Sequence, residues 1–184
     1  GWGSYNGDLA GTRYSPLAQI NTNNVATLGP AWSYRLRPEP GKSVPAIDKP
    51  ASSFELFQQV TPIVVNGVMY LPAGNRLLAF DPETGKEVWH YELMNGALTK
   101  RNVAYWPGDR NTPPRVYVTA GRRLIALNAV TGETPLTFGK DGEVDLVVPY
   151  NSAPTVYKNL LFVGANVPEQ QGSAQPGNTR AYDA

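Results

Sequence analysis

Ala79–Trp89 reads Ala-Phe-Asp-Pro-Glu-Thr-Gly-Lys-Glu-Val-Trp: an apolar strand end, an Asp, a Thr-Gly turn and a new strand that reaches a Trp. A related stretch, Ala126–Leu136, reads Ala-Leu-Asn-Ala-Val-Thr-Gly-Glu-Thr-Pro-Leu, and a third copy begins at Ala181–Ala184. The Asp or Asn that opens the turn recurs after 47 and then 55 positions. A repeat of this length built from strands is typical of small sheets arranged radially, which protects their edges. We therefore predict an all-β fold of β-propeller blades, each with four antiparallel strands.

The chemistry of the turn suits this repetition. Asp81 and Asn128 each carry a side-chain oxygen that accepts hydrogen bonds from backbone N–H groups two or three residues later. Gly85 and Gly132 adopt a positive φ without a Cβ penalty. We expect Trp89 to spread over a neighbouring sheet and to donate its indole N–H to a carbonyl. The second copy has a leucine in place of this Trp, so a weaker contact between sheets is expected there.

Strand patterns between the turns complete the units. Asn66-Gly67 predicts a hairpin because a type I′ turn needs two residues that tolerate positive φ. The predicted strands are 63–65, 68–71, 76–80 and 87–91 in the first unit, 115–119 and 123–127 in the second, and 155–157, 160–163 and 179–182 in the third, with a Lys158-Asn159 turn and an insertion at 167–178. These patterns divide the chain into an N-terminal segment (1–57), a first blade (58–95), a second blade (96–150) and a truncated third blade (151–184).

The N-terminal segment carries weaker signals. Asn21–Leu28 combines polar caps with a short apolar pattern, which predicts one or two helical turns. Ala31–Tyr34 alternates like a strand. Residues 37–57 carry four prolines among polar residues, which predicts a long surface loop. Loops of that length in compact domains are usually functional.

Composition excludes several classes of function. The 184 residues are 41% hydrophobic, enough for a packed core. Lys+Arg 16 against Asp+Glu 15 leaves no net field to recruit nucleic acid, so no nucleic-acid partner is expected. The absence of Cys excludes disulfides, thiolate metal sites and a cysteine nucleophile, and the single His90 argues against a serine triad. No phosphate-binding glycine motif is present.

Longer motifs connect the chain to a known family. The pattern Ala-x-Asp-x-x-Thr-Gly-x-x-x-Trp resembles the tryptophan-docking motif of the pyrroloquinoline quinone (PQQ)-dependent dehydrogenases. Gly7–Leu17, followed by Gln19-Ile20-Asn21, is similar to the N-terminus of that family, and Arg101–Asp109 to its segment after the first blade. The resemblance covers nearly the whole chain. It implies the N-terminal part of an eight-bladed propeller with the quinone in a funnel on its axis.

The resemblance also implies cofactor contacts. Arg101 would pair with one of the three PQQ carboxylates, which a guanidinium binds through two parallel hydrogen bonds. Gln59 stands where many members have a Glu that hydrogen-bonds the cofactor, so this chain keeps the hydrogen-bonding capacity without the charge. Asn151 and Asn166 fall on family positions that often carry small hydroxyl residues, and we expect both to hydrogen-bond PQQ. The alternative for Arg101 is a surface ion pair with Glu92.

A metal ligand is implied as well. Glu169 matches the family's carboxylate ligand to Ca²⁺, a hard cation that takes oxygen donors. A lanthanide is the alternative ion at this position. The alternative role for Glu169 is that of a solvated carboxylate in a loop. The family's reaction is hydride transfer from a substrate carbon to the quinone, with an Asp as base. That base and the other metal ligands belong to later blades, so no residue here receives a catalytic assignment. Asn95-Gly96 stands where the alcohol-oxidising members have a vicinal disulfide, which favours the branches that act on sugars, polyols or other alcohols over the methanol-oxidising branch.

Two hypotheses of different classes follow. The first is a PQQ-dependent dehydrogenase, periplasmic or in a membrane facing the periplasm, with cytochrome c or a membrane quinone as electron acceptor. Its remaining blades would be partners of this segment, which alone is expected to be inactive. The second is a non-catalytic propeller scaffold, such as the lipoprotein that assists outer-membrane protein assembly. A scaffold uses the same turn but does not require Arg101 or Glu169 in their present contexts.

Overall fold

A computed structural model of the protein describes residues 6–8, 10–36, 60–166 and 177–184. The predicted loop at 37–57 and most of the insertion at 167–178 lie outside these ranges. Within them, the secondary structure consists of β-strands and one short 3-10 helix, Val25–Thr27. The fold of the described residues is therefore all-β, as predicted.

The strands form antiparallel sheets whose order in space follows the chain. The first sheet contains β1 (Ile63–Val65), β2 (Val68–Ala73), β3 (Arg76–Phe80) and β4 (Glu87–Glu92). The second contains β5 (Ala104–Trp106), β6 (Arg115–Ala120), β7 (Arg123–Asn128) and β8 (Glu143–Asp145). The described part of the third contains β9 (Thr155–Tyr157), β10 (Leu160–Val163) and β11 (Arg180–Asp183). The predicted four-stranded antiparallel unit is thus confirmed in the first two sheets.

The turns have the predicted geometry. Asn66 and Gly67 have φ of 51° and 76°, as a type I′ hairpin requires. Asp81 Oδ1 accepts hydrogen bonds from the N–H groups of Glu83 and Thr84 at 2.8 and 3.2 Å. The second copy repeats these distances, because Asn128 Oδ1 accepts from the two equivalent N–H groups at 2.8 and 3.2 Å. An amide oxygen therefore serves as well as a carboxylate in this turn.

Two tryptophans connect one unit to the turn of the next. Trp89 donates its Nε1–H to the carbonyl of Ala129 at 3.2 Å and packs on Gly132. Trp32 does the same one unit earlier, donating to the carbonyl of Pro82 at 3.0 Å and packing on Gly85. The sequence predicted the first contact. It did not predict the second, because no turn motif precedes Trp32.

The predicted strand at Ala31–Tyr34 is wrong. Its side chains do alternate, with Trp32 and Tyr34 half-buried and Ala31 and Ser33 exposed. The two rings pack on Phe80, at 6.3 and 4.6 Å between centroids, while the backbone forms no ladder within the described residues. Alternation here reflects packing on the face of a sheet. The helical prediction for Asn21–Leu28 is confirmed as a single 3-10 turn.

The second sheet departs from the repeat after Gly132. The chain does not re-enter a strand directly, since Pro135 has no N–H for a ladder and turns follow up to β8. Leu136 is 79% exposed, which agrees with the expected loss of docking at this position. Phe138 is buried instead and packs against Tyr117, with ring centroids 5.4 Å apart. Counted from the residue that opens the turn, the outer strand β8 therefore begins about ten residues later than β4 does in the first sheet.

The core lies between consecutive sheets. One cluster joins the first sheet to the second through residues such as Ile63, Leu77 and Val118. Another joins the second to the third through Tyr117, Leu124 and Leu161. Burial of such side chains contributes roughly 1.5–3 kcal/mol each. The same packing fixes how the loops at the sheet edges meet.

Candidate functional site

A cavity of about 570 Å³ lies at one edge of the sheets. In an antiparallel sheet of four strands, the starts of the first and third strands and the ends of the second and fourth fall on one edge. The cavity is lined from loops at that edge: Ala97, Leu98, Thr99, Lys100, Arg101, Thr119, Gly121, Pro149, Tyr150, Asn151 and Asn166. Its volume is within the roughly 300–1,000 Å³ of small-molecule sites.

Three of the predicted cofactor residues lie together in this lining. Arg101 precedes β5 by three residues, Asn151 precedes β9 by four, and Asn166 follows β10 by three. They are up to 65 positions apart in the chain, and the shared edge brings them together. Their common cavity is a geometric finding, and their contact with a cofactor stays a prediction.

Arg101 is held by its backbone and leaves its side chain exposed. Its carbonyl accepts the N–H of Thr61 at 3.1 Å, and nearby Leu98 donates its N–H to the carbonyl of Gly74 at 2.9 Å. These bonds tie the linker between the first two sheets to the first sheet. Among the described residues, none hydrogen-bonds or ion-pairs with the Arg101 guanidinium.

The alternative ion pair between Arg101 and Glu92 does not form. Glu92 instead accepts a hydrogen bond from Asn75 Nδ2 at 3.1 Å, across the end of the first sheet. The guanidinium is therefore available to an anion in the cavity.

The two asparagines are positioned from the same short segment. Asn166 donates its N–H to the carbonyl of Pro149 at 2.7 Å, and Tyr150 donates its N–H to the carbonyl of Gly121 at 2.9 Å. Asn151 follows Tyr150 directly and is exposed. Segment 149–151 thus carries one predicted residue and anchors the other.

The electrostatics of the lining suit a negatively charged ligand. Lys100 and Arg101 both line the cavity, and no carboxylate is among its described lining residues. Sequence reasoning did not assign Lys100 a role, although it is adjacent to Arg101. Polar groups from Asn151 and Asn166 also line the cavity. The donor set fits an anionic group with several hydrogen-bond acceptors, such as PQQ.

The predicted cofactor contact of Gln59 and the predicted metal ligand Glu169 stay predictions. Gln59 and Glu169 lie outside the described residues. In the described part of the chain, no group of three or more His, Asp and Glu side chains could hold a metal ion. The described ranges also contain no helix long and apolar enough to cross a membrane. The single histidine, His90, contacts Glu87, with Nδ1 and Oε1 2.7 Å apart.

Comparison with known proteins bears on the whole chain. Residues 2–184 match the model of the family described as PQQ: glucose/ethanol/alcohol dehydrogenase, beta-propeller domain. A quinoprotein glucose dehydrogenase A from Acinetobacter calcoaceticus is 31% identical over 99% of this chain and 26% of its own length. A quinohemoprotein alcohol dehydrogenase from Comamonas testosteroni is 34% identical over 100% of this chain and 24% of its own length.

One further relative matches the chain to a similar extent, and a solved structure matches it more weakly. The dehydrogenase subunit of an alcohol dehydrogenase (quinone) from Gluconobacter oxydans (strain 621H) is 34% identical over 89% of this chain and 21% of its own length. The chain thus spans about a quarter of the length of these relatives. The solved structure of BamB from Moraxella catarrhalis covers 53% of this chain and 39% of that chain at 17% identity and a TM-score of 0.32. A likeness that low carries no argument.

Proposed function

The chain belongs to the PQQ β-propeller family of glucose, ethanol and alcohol dehydrogenases, and from this premise we propose that it forms part of the cofactor site of a PQQ-dependent dehydrogenase. The substrate we propose is the hydroxyl group of an alcohol, polyol or sugar. The observation that carries the proposal is the cavity that unites Arg101, Asn151 and Asn166, with no carboxylate among its described lining residues.

The residues of the cavity have distinct tasks in this proposal. When bound, PQQ supplies a quinone that accepts a hydride from the substrate carbon. Arg101 binds a carboxylate of the cofactor, and Lys100 adds a second positive charge beside it. Asn151 and Asn166 orient the bound molecule through hydrogen bonds from their amides. The chain's contribution is therefore binding and orientation, and no residue of it is proposed as the catalytic base.

Three further parts of the proposal concern the whole enzyme. We assign Gln59 a hydrogen bond to the cofactor and Glu169 an oxygen ligand to Ca²⁺ or a lanthanide ion. The electron acceptor is cytochrome c or a membrane quinone, and the second is supported by the relative named as an alcohol dehydrogenase (quinone). We place the enzyme in the periplasm or in a membrane facing it, which fractionation of cells would test.

Binding of PQQ to the full-length protein tests the role of Arg101. Equilibrium dialysis with PQQ and Ca²⁺ would give the Kd of the wild type, Arg101→Gln and Arg101→Lys. A hydrogen bond to a charged group contributes about 1.5–3 kcal/mol, so Arg101→Gln should weaken binding by roughly 10- to 100-fold. Arg101→Lys should lie between, because an ammonium lacks the planar fork.

Arg110→Gln is the matched control. Arg110 is exposed in the loop between β5 and β6, at the opposite edge of the second sheet, and should bind PQQ as the wild type does. A folded wild-type protein that takes up no PQQ would contradict the proposal and favour a scaffold. Equal affinities of Arg101→Gln and wild type would contradict the role of Arg101 alone.

A further inference from the structure

Two buried threonines support the segment that carries Asn151. Thr99 is 7% exposed and Thr119 is fully buried. The Thr99 hydroxyl donates to the carbonyl of Asn151 at 2.8 Å, and the Thr119 hydroxyl donates to the carbonyl of Ser152 at 2.9 Å. Two consecutive carbonyls of a loop are thus satisfied by side chains from other elements. A hydrogen bond within a protein contributes roughly 0.5–1.5 kcal/mol, so these two bonds help to hold the loop in place.

Thr99 joins the two sides of the cavity. Its hydroxyl also accepts the N–H of Arg101 at 3.5 Å, a long bond, while it donates to Asn151. A hydroxyl has one donor and two acceptor sites, so both roles are compatible. The backbone N–H of Thr99 donates to the carbonyl of Thr119 at 2.7 Å, which ties the two threonines together. One side chain therefore contacts the backbones of both Arg101 and Asn151.

Among the described residues, few other hydrogen bonds support the segment, although Tyr150 and Ala153 also pack in the core between the second and third sheets. Residues 149–153 form no strand. Besides the threonines, the bonds to Gly121 and Asn166 hold it at one end, and Ala153 donates its N–H to Asn102 Oδ1 at 3.3 Å at the other. Near Asn151 itself, the threonine hydroxyls make the hydrogen bonds to the backbone that the described part of the chain supplies. Their loss would let the loop move relative to Arg101.

We propose that Thr99 is a positioning residue of the cofactor cavity, with Thr119 as its second support. The hydroxyls set the separation of Arg101 and Asn151, so that both groups reach one ligand at the same time. This inference rests on the proposed PQQ site. It assigns these threonines no contact with the cofactor and no step of the reaction.

Isosteric variants of the full-length protein separate hydroxyl from volume. Thr99→Val keeps the β-branched shape and removes the hydrogen bonds, whereas Thr99→Ser keeps the hydroxyl. By equilibrium dialysis, PQQ should bind Thr99→Val about threefold to tenfold more weakly than wild type, with Thr99→Ser restoring the wild-type Kd. Thr119→Val carries the same prediction if Thr99→Val fails to fold. Backbone amide hydrogen exchange at 150–153 should be faster in both valine variants without PQQ.

Thr137→Val controls for general destabilisation. Thr137 accepts a hydrogen bond from Arg115 Nη2 at 2.6 Å and does not line the cavity, so its variant should melt at a lower temperature with the wild-type Kd. A wild-type Kd for Thr99→Val, or a Thr99→Ser as weak as Thr99→Val, would overturn the positioning role while leaving the PQQ site intact. A wild-type protein that binds no PQQ would overturn both.

Discussion

The indole ring of Trp89 in the first sheet lies on the backbone of Gly132 in the second. A Cβ built on Gly132 would lie 2.6 Å from Trp89 Cε3, closer than carbon atoms approach without repulsion. Gly132 also has a φ of 77°. Glycine is therefore required here twice, for the backbone conformation of the turn and for the space that the ring occupies.

Gly132→Ala should destabilise the protein through both effects. The left-handed conformation costs an alanine about 1–2 kcal/mol, and displacement of the indole adds about 1–3 kcal/mol. We expect a loss of roughly 3 kcal/mol in the free energy of unfolding, measured by urea denaturation of the full-length protein. Gly74→Ala separates the effects, since Gly74 has a φ of 66° with nothing within 4 Å of its added Cβ. Equal losses in the two variants would show that the Trp89 contact is not tight.

Tyr70 should make stability sensitive to alkaline pH. Its hydroxyl donates to the carbonyl of Ala129 at 3.0 Å, the same oxygen that accepts from Trp89. Burial raises the pKa of Tyr70 to about 12, against about 10 for a tyrosine in the unfolded chain. Since the folded pKa is the higher one, its stabilisation is complete below about pH 10 and is lost as the pH rises through about 12.

Tyr70→Phe tests this at two pH values. At pH 7 the loss of the hydrogen bond should lower the free energy of unfolding by about 1 kcal/mol. Between pH 10 and 12, the variant should lose less stability than wild type, because it lacks the group that ionises on unfolding. Tyr157→Phe, at a half-exposed side chain, controls for the Tyr-to-Phe substitution itself. Parallel alkaline profiles for Tyr70→Phe and wild type would contradict the assignment.

Asp81 should contribute to acid sensitivity. Hydrogen bonds from the N–H groups of Glu83 and then Thr84 hold the pKa of Asp81 below its ordinary value of 3.8. A carboxylate with a depressed folded pKa stabilises the protein above its unfolded pKa, and that contribution is lost as the pH falls through the folded value. Asp81→Asn recreates the turn that Asn128 forms in the second copy. We expect it to fold like wild type at pH 7 with a smaller drop in urea midpoint at pH 3.

The control for Asp81→Asn is Asp141→Asn, which removes one negative charge outside the repeated turn. It shows how far the loss of one negative charge by itself changes the urea midpoint. An acid-induced drop in Asp81→Asn as large as in wild type would show that the turn carboxylate does not contribute.

The sequence predicted the first sheet closely because its turns are local. Asn66-Gly67 and the Asp81 turn each specify their backbone through residues a few positions apart, and the flanking strands followed to within two residues. The second sheet was harder, since Pro135 delays the outer strand and the pairing partner of β8 lies some twenty residues upstream. Ala31–Tyr34 failed for a related reason: alternating burial does not distinguish a paired strand from a segment packed on a sheet face.

In the candidate site, too, some residues could be predicted from the sequence and others could not. Arg101, Asn151 and Asn166 were identified from motifs, and the antiparallel repeat explains why loops before β5, before β9 and after β10 share an edge. Thr99 and Thr119 carried no signal in the sequence, because a threonine in a strand or linker is ordinary until its acceptor is known.

The sequence alone determined the unit of this protein: a four-stranded antiparallel sheet, its turn, and a tryptophan to dock on the next turn. These depend on short-range rules of φ, hydrogen bonding and alternation. Tertiary structure alone decided which distant groups meet: the ring of Trp32 on Gly85, the hydroxyl of Thr99 at Asn151, and an Arg101 side chain left without a partner among the described residues. Such contacts follow from how neighbouring sheets pack against each other, and the linear order of residues does not specify that packing.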